Sequence, residues 1–559
     1  MIYRHKMQIT VVEPRKAPPR SFPTTFVLKK DTFNDYGFQT RYQLYRESSA
    51  YKEEPFFVGT VKILRRGQTA ADGLQISSDI TEPLGDNYCS VGDSLDYYER
   101  LNTLSRDERD DLLATLRDVA ANPALIDTFS AEEGWTTSLF RGNREWQTFL
   151  ADATALYKGN FDTLSDVDTV FSFFPRNSRD EIRFELSAPL PEYYSGPYRR
   201  IGPKRQRSVL PDRIMVLIGR NGAGKSTLLA DIAHVAFATP EQRLRKSVRQ
   251  KGQLDPNGIG FLRVITISYS AFDSFTLPGV SDADFVQIAN DVTKGEGRFV
   301  YCGLRDIAAE AKHDLEAREH DDEQIGPIKD PARRHTTALK SVDQLADEYE
   351  RLLASVNASP EKRTLLDAAM QPLAADPSFA GLDLDEALGT TTGRELFLRW
   401  STGHKIALHV ILSLVTHVSR NALVLFDEPE MHLHPPLTAA LMHAVRIVLM
   451  ETNAFCIVAT HSPVVLQETL ARHVRFIERT DDEISVSEPT RETFGENVGL
   501  LSYDAFGLTA AATDFHETLD LLVRSGEEFS EIEALFTNGL SSQARAYVLA
   551  KLASKDKPA

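Results

Sequence analysis

The sequence predicts an α/β protein built on a parallel sheet, with β-rich and helical segments added around it. Three observations carry that expectation. Apolar, β-branched runs alternate with helix-forming stretches over residues 213 to 305 and again over 391 to 480, the pattern of strand–helix–strand units. One run, Val216-Leu-Ile-Gly219-Arg-Asn-Gly222-Ala-Gly224-Lys225-Ser226-Thr227, passes from strand through a glycine-rich turn into a helix. Another, Leu423-Val-Leu-Phe-Asp427-Glu428, ends in two adjacent carboxylates.

Composition narrows the class. Hydrophobic residues make up 42% and charged residues 26% of 559, ordinary for a globular protein and unlike a disordered or fibrous chain. No apolar run approaches the roughly 18 residues of a membrane span, and the first residues lack the pattern of a secretory leader. Cys89, Cys302 and Cys456 are sparse and far apart, which argues for a reducing compartment and against a disulfide framework. The expected location is cytoplasmic. The formal charge is 63 − 80 = −17, not the balance of a nucleic-acid coat. Two basic clusters stand out locally: Arg199, Arg200, Lys204, Arg205 and Arg207, then Arg243, Arg245, Lys246, Arg249 and Lys251. Each reads as a solvated face or as a phosphate-contacting patch.

Along the chain, residues 1–65 are β-rich, with runs such as Phe57-Val-Gly-Thr-Val-Lys-Ile-Leu64, and read as part of the same domain as the glycine-rich turn. Residues 66–180 read as a mainly helical insertion, Asp107 to Val119 carrying apolar positions at helical spacing. Residues 181–305 hold a returning strand, a Pro/Gly/Arg-rich connector at 188–212, and the glycine-rich lobe. Residues 306–390, rich in Glu, Asp, Ala and Leu, read as an inserted helical arm. Residues 391–490 form the second α/β lobe, and 491–559 a helical tail that could dock a partner.

The glycine-rich stretch fits G-x-x-x-x-G-K-[ST], with the strand before it and the helix after it that the motif requires. Its glycines let backbone N–H groups turn inward as an anion nest, and the helix N-terminus adds positive potential. The reading assigns Gly219, Arg220, Asn221, Gly222, Ala223, Gly224, Lys225, Ser226 and Thr227 to the phosphates of ATP, Lys225 to the β- and γ-phosphates, and Ser226 to Mg²⁺. With this loop upstream, Asp427 reads as the Walker B carboxylate acting on the same Mg²⁺. Glu428 reads as the general base for the attacking water. Ser401-Thr402-Gly403 opens a further helix able to donate to an anion. His461 ends the strand Phe455-Cys-Ile-Val-Ala-Thr460, placed to reach a γ-phosphate.

The order of P-loop, Ser-x-Gly helix start, Asp-Glu strand and histidine strand end resembles the ABC-type ATPase heads of transporters, SMC proteins and DNA-repair clamps. The likeness covers roughly residues 205 to 305 and 391 to 480. It implies a homodimer that sandwiches ATP, with Ser401, Thr402 and Gly403 acting in trans and His461 as the switch histidine. The chain departs from transporters in reading Trp-Ser-Thr-Gly-His at the signature, in lacking a clear Q-loop glutamine after Ile265-Thr-Ile-Ser-Tyr-Ser270, and in carrying Glu430-Met-His432-Leu-His434-Pro after Walker B. These features are similar to AAA-type ABC ATPases of bacterial defence and overcoming-lysogenization-defect systems. By that resemblance Glu430, His432 and His434 lie near the dimer seam; a metal site made by the same three is the competing reading. Thr493-Phe-Gly-Glu-Asn-Val-Gly-Leu-Leu-Ser-Tyr-Asp-Ala-Phe506-Gly, Ile267 to Asp273 and Tyr301 to Arg305 look like Septu-type anti-phage ATPases, PtuA-like or retron-associated. The family implies a separately encoded HNH-type nuclease whose action ATP restrains or licenses.

Rival readings remain distinct. A DNA-repair or SMC-like clamp would contact duplex DNA through the two basic clusters, with steep salt dependence. A nucleotide-dependent scaffold would not need Glu428. A nuclease within this chain is disfavoured, because no Asp-x-Asp strand follows residue 480.

Overall fold

The computed structural model describes residues 7–14, 26–31, 37–46, 56–101, 104–141, 146–158, 170–176, 178, 180–185, 210–239, 242–257, 259–279, 282–295, 297–320, 337–389, 393–480, 483–506, 514–525 and 528–555. In chain order the strands are β1 (Ile9–Val12), β2 (Phe26–Lys30), β3 (Arg41–Arg46), β4 (Phe56–Arg65), β5 (Tyr88–Gly92), β6 (Val170–Pro175), β7 (Ile182–Glu185), β8 (Ile214–Ile218), β9 (Gly252–Asp255), β10 (Val264–Ser268), β11 (Phe299–Gly303), β12 (Leu423–Asp427), β13 (Phe455–Thr460), β14 (Val474–Thr480) and β15 (Glu483–Ser487).

The central sheet has seven strands in the order β11-β10-β12-β13-β8-β14-β15. All neighbours are parallel except β14 and β15. Every residue of β8, β10, β11, β12 and β13 is buried, as a parallel sheet covered on both faces requires. Alternate residues serve opposite faces. Val216, Ile267, Val424, Phe426 and Val458 enter one core with the helices Val342–Asn357, Pro360–Ala374, Thr402–His417 and Pro435–Thr452. Met215, Leu217, Leu425, Ile457 and Ala459 enter another, beneath the helices Lys225–Phe237 and Asp282–Lys294 and the small sheet β7-β6-β9.

Two stretches take places that the sequence reading did not specify. Residues 1–65 do not extend the central sheet. β1 to β5 make a separate five-stranded sheet, which shares a core with the helices between residues 95 and 157 and takes in Leu262 alone from the α/β part. Alternating apolar residues specify a half-buried strand but not the sheet it joins. The described helices of the 306–390 stretch pack on the central sheet. Val342–Asn357 and Pro360–Ala374 bury Tyr349, Leu353, Leu366 and Leu373 in the central core; their charged residues occupy the outer face. The tail is helical, and Asp514–Arg524, Phe529–Ala534 and Ser542–Lys555 pack on a small core of their own.

Two polar links position the site. Arg263, just before β10, donates to Glu99 of the N-terminal unit and to the carbonyl of His417, the last residue of the helix Thr402–His417. Arg305, 0% exposed, pins the chain after β10: it bonds Asp273 Oδ1 at 2.7 Å, the Phe275 carbonyl at 3.0 Å, and both oxygens of Glu310. Tyr301 donates to the other oxygen of Asp273 at 2.8 Å. Two buried carboxylates thus depend on one guanidinium, and removing a partner from such a set costs about 3–5 kcal/mol. Arg305→Met is expected to lower unfolding stability by about that much, read from the denaturant midpoint; a loss below about 1 kcal/mol would show that the network is not a support.

Candidate functional site

The candidate residues gather at the carboxyl ends of β8, β12 and β13, where open α/β sheets bind their ligands. Gly222 and Gly224 have φ of 85° and 88°, a region that glycine enters without cost. A Cβ at either would meet nothing within 4 Å, so backbone conformation and not crowding demands glycine there. Gly219 differs: a Cβ would lie 2.1 Å from the Ile477 carbonyl on β14. The loop is therefore wedged against the sheet at its start and open at its tip.

Lys225 opens the helix and is 5% exposed. Its Nζ donates to the Gly219 carbonyl at 3.0 Å and stands 3.8 Å from Glu428 Oε1. Ser226 Oγ donates to Asp427 Oδ1 at 3.0 Å. Asn221 and Thr227 are exposed, and Ala223 is buried. Arg220 turns away from the loop and donates twice to the carbonyl of Phe506, at 3.0 and 2.6 Å, where the tail helix Val498–Phe506 ends. The tail is also tied beside β13, because Thr493 Oγ1 donates to the Thr469 carbonyl and Gln467 Nε2 to that of Glu496.

A backbone turn explains how adjacent carboxylates reach one place. Asp427 is the last residue of β12, and Glu428 has φ of 51°. A non-glycine residue in that region costs on the order of 1 kcal/mol, and such strain collects at functional sites. The Glu428 amide still bonds the Ala459 carbonyl at 2.8 Å, so the side chain swings toward β13 while the backbone stays on the sheet. There it hydrogen-bonds His461 Nδ1. Glu430 accepts from Thr460 Oγ1 at 2.6 Å and from the His461 amide at 2.9 Å.

The electrostatics follow from burial and neighbours. Burial pushes the Asp427 carboxyl up to about 7, against the Ser226 hydrogen bond and with the charges of Glu428 and Asp273 adding to the rise. Burial, reinforced by Glu428, pushes Glu430 up to about 7. Burial works the same way on Glu428, but its bonds to His461 and Glu430 and the charges of His461 and Lys225 hold it below the usual range. The Glu428 hydrogen bond raises His461. Each partner of the Glu428–His461 pair thus favours the other's charged form, and Glu430 is the more proton-retaining neighbour.

The metal reading of Glu430, His432 and His434 does not survive. Glu430 faces inward, and its companions are Glu428 and His461; one ligand atom from each of these three lies within 4.8 Å of the others. His432, with φ of 64°, is exposed on the turn. His434 Nδ1 accepts from the Leu437 amide and caps the helix Pro435–Thr452. Two left-handed residues within five send these side chains different ways. Glu430 holds the His461 backbone; its i+2 spacing from Glu428 gave no sign of this.

Ser401 caps the helix Thr402–His417 by accepting from the His404 amide at 3.3 Å, and it and Thr402 are exposed. Gly403 lies against the turn after β12: a Cβ there would come within 3.2 Å of the His432 carbonyl. Of the basic clusters, Arg199 to Arg207 lie outside the described residues. In the other, Arg243 is buried and spends its guanidinium on four backbone carbonyls, and Lys251 pairs with Asp231 at 3.2 Å. That cluster is partly a structural brace and not a continuous basic face.

The chain is similar to several known proteins. A family model described as "AAA domain, putative AbiEii toxin, Type IV TA system" matches residues 297–467, a span that holds the Ser401 helix, Asp427, Glu428 and His461 but begins after the P-loop. Protein ea59 of Escherichia phage lambda is 28% identical over 580 residues, covering 99% of each chain. A solved structure described as "an inward-facing conformation of a putative metal-chelate type ABC transporter" aligns with 57% of this chain and 83% of its own, at 14% identity and a TM-score of 0.23. Residues 297–467 are thus similar to an AAA domain, and the candidate residues stand on a largely parallel seven-stranded sheet. No helix among the described residues is long and apolar enough to cross a membrane.

The raised Asp427 carboxyl has a consequence for stability. A carboxyl whose folded pKa exceeds its unfolded value stabilises the fold below the unfolded pKa, near 4, and that contribution is lost as pH rises through about 7. Without nucleotide or magnesium, Asp427→Asn is expected to be more stable than the parent by about 1–4 kcal/mol at pH 8, the gap closing toward pH 4. Thermal denaturation of both proteins across that range checks it; a gap that widens on acidification would contradict the burial argument.

Proposed function

We propose that this chain binds ATP with Mg²⁺, hydrolyses it between two copies of itself, and uses the cycle to control a separately encoded nuclease in conflict between phages and bacteria. The observation that carries the catalytic part is the bond between Ser226 and Asp427. It joins two motifs 201 residues apart and sets Lys225 and Glu428 beside them.

The donor set fits the ligands. An open loop with two glycines in the left-handed region presents its amides to anionic oxygens, and Lys225 adds a buried cation. A hydroxyl and a carboxylate in contact are the oxygen donors that Mg²⁺ prefers; the ion, when bound, offsets charge developing on the transferred phosphoryl group. Glu428 takes the proton of the attacking water, since it alone of the three carboxylates is held ionised by its partners. His461 orients it, and Glu430 fixes the His461 backbone. Ser401 and Thr402, exposed at a helix start, suit an anion presented by a second copy. The tail bears on regulation, because Arg220 of the P-loop grips it.

The conflict role draws support from two comparisons: a family model whose description names a toxin of a toxin–antitoxin system, and a full-length relative encoded by a phage. The clamp reading loses ground with Arg243 buried.

Glu428→Gln is expected to reduce ATP turnover by about 10²–10⁴-fold while nucleotide binding persists, and Lys225→Ala to abolish binding. Unchanged turnover in Glu428→Gln would remove the general base and favour a scaffold. Mixing Ser401→Arg with Lys225→Ala subunits is expected to restore turnover, since a mixed dimer keeps one intact site; exchanging subunits that stay inactive would exclude action in trans. Purification of the tagged chain with its native gene neighbours, followed by mass spectrometry, tests the partner: a stoichiometric nuclease is expected, and a chain that arrives alone and binds duplex DNA would establish the clamp instead.

A further inference from the structure

The N-terminal unit holds a cavity of about 640 Å³, far in sequence from the P-loop. One wall is a single face of the helix Arg106–Leu116, from which Arg106, Arg109, Leu113 and the following Arg117 project. Positions three, four and seven apart share a helix face, so three cations are strung along roughly 16 Å of wall. Tyr157 and Lys158 also line it, the Lys158 ammonium lying 5.6 Å from the Tyr157 ring centre. Asp118, Ala121 and Asn122 complete the lining.

Charge in this cavity runs against the chain. The protein totals −17, yet four cations line the space against two carboxylates. Both carboxylates are committed. Asp118 accepts from Tyr98 Oη and from the Ala120 and Ala121 amides. Asp110 lies 3.7 Å from Arg109 and 3.8 Å from Arg106. The helix's remaining acids, Asp107, Glu108 and Asp111, stand outside the lining, with Glu108 bonded to Arg46. Arg117 is fixed by the Tyr88 carbonyl and Asp86. Between the cations, Leu113, Ala114, Ala121 and the Tyr157 ring give an apolar middle. The volume falls within the roughly 300–1,000 Å³ of small-molecule sites. Cations beside apolar lining suit a flat ring carrying phosphate.

We propose that this cavity binds a phosphorylated small molecule of mononucleotide size, at a site separate from the P-loop. The probes are AMP and inorganic pyrophosphate, titrated calorimetrically into the full chain carrying Lys225→Ala, which removes the P-loop as the main competitor. At least one probe is expected to bind saturably, once per chain. Adding Arg106→Glu and Lys158→Glu, both at exposed positions, is expected to weaken that binding by about tenfold or more with the melting temperature unchanged. The proposal is overturned if neither probe binds saturably, or if the charge-reversed protein binds equally well. It is equally overturned if a single-stranded oligonucleotide engages these residues where both small probes fail.

Discussion

A carboxylate at the end of a fully buried strand is the constraint on which the rest of this molecule depends. Asp427 is 1% exposed and bonds a serine 201 residues earlier in the chain. For that contact to exist, β13 must separate β8 from β12, and the helix from Lys225 must cross it. Each buried strand of the sheet, and each helix that covers it, serves this alignment. The cost is visible in the carboxyl itself, which burial drives toward neutrality; a polar group in an apolar setting is tolerated where function needs it.

Around Asp427 the chain divides three carboxylates by environment. Glu428 is swung by a left-handed residue onto His461 and stays ionised, whereas Glu430 leans toward its proton. Pairs of titratable groups pushed apart in this way mark acid and base roles. The surroundings reach this centre through few links. Arg305 holds Asp273 beside it, Arg263 joins β10 to the Thr402–His417 helix and to the N-terminal unit, and Arg220 joins the P-loop to the tail. Arg263 and Arg220 thus tie the outlying units to the sheet and its glycine-rich loop, each through a guanidinium that bonds at two nitrogens at once, as a lysine could not.

The parts legible in the sequence were those where chemistry leaves few choices. Phosphate binding by backbone amides demands glycines at particular φ, and a strand ending in Asp-Glu after such a loop has few other uses. The placement of β1 to β5 was not legible, because alternation says that a strand is half-buried and not what it pairs with. Nor was the seating of Val342–Asn357 on the sheet, since its charged face dominates the composition. Arg243 and Arg305 look like surface cations in a string of letters; only the carbonyls and carboxylates around them show otherwise. Glu430 was noticed, but its direction was set by two positive-φ residues that no spacing rule anticipates.

On the function proposed above, one chain holds half a catalytic site and a second copy completes it. Steady-state ATP turnover per subunit, measured with saturating ATP and Mg²⁺ over a wide range of protein concentration, tests this most directly. The account predicts specific activity that rises with concentration and then reaches a plateau, the half-maximal point matching dimerisation seen by sedimentation under the same conditions. Specific activity that is constant down to concentrations where the protein sediments as a monomer would contradict it, since a lone chain would then carry every group the reaction needs.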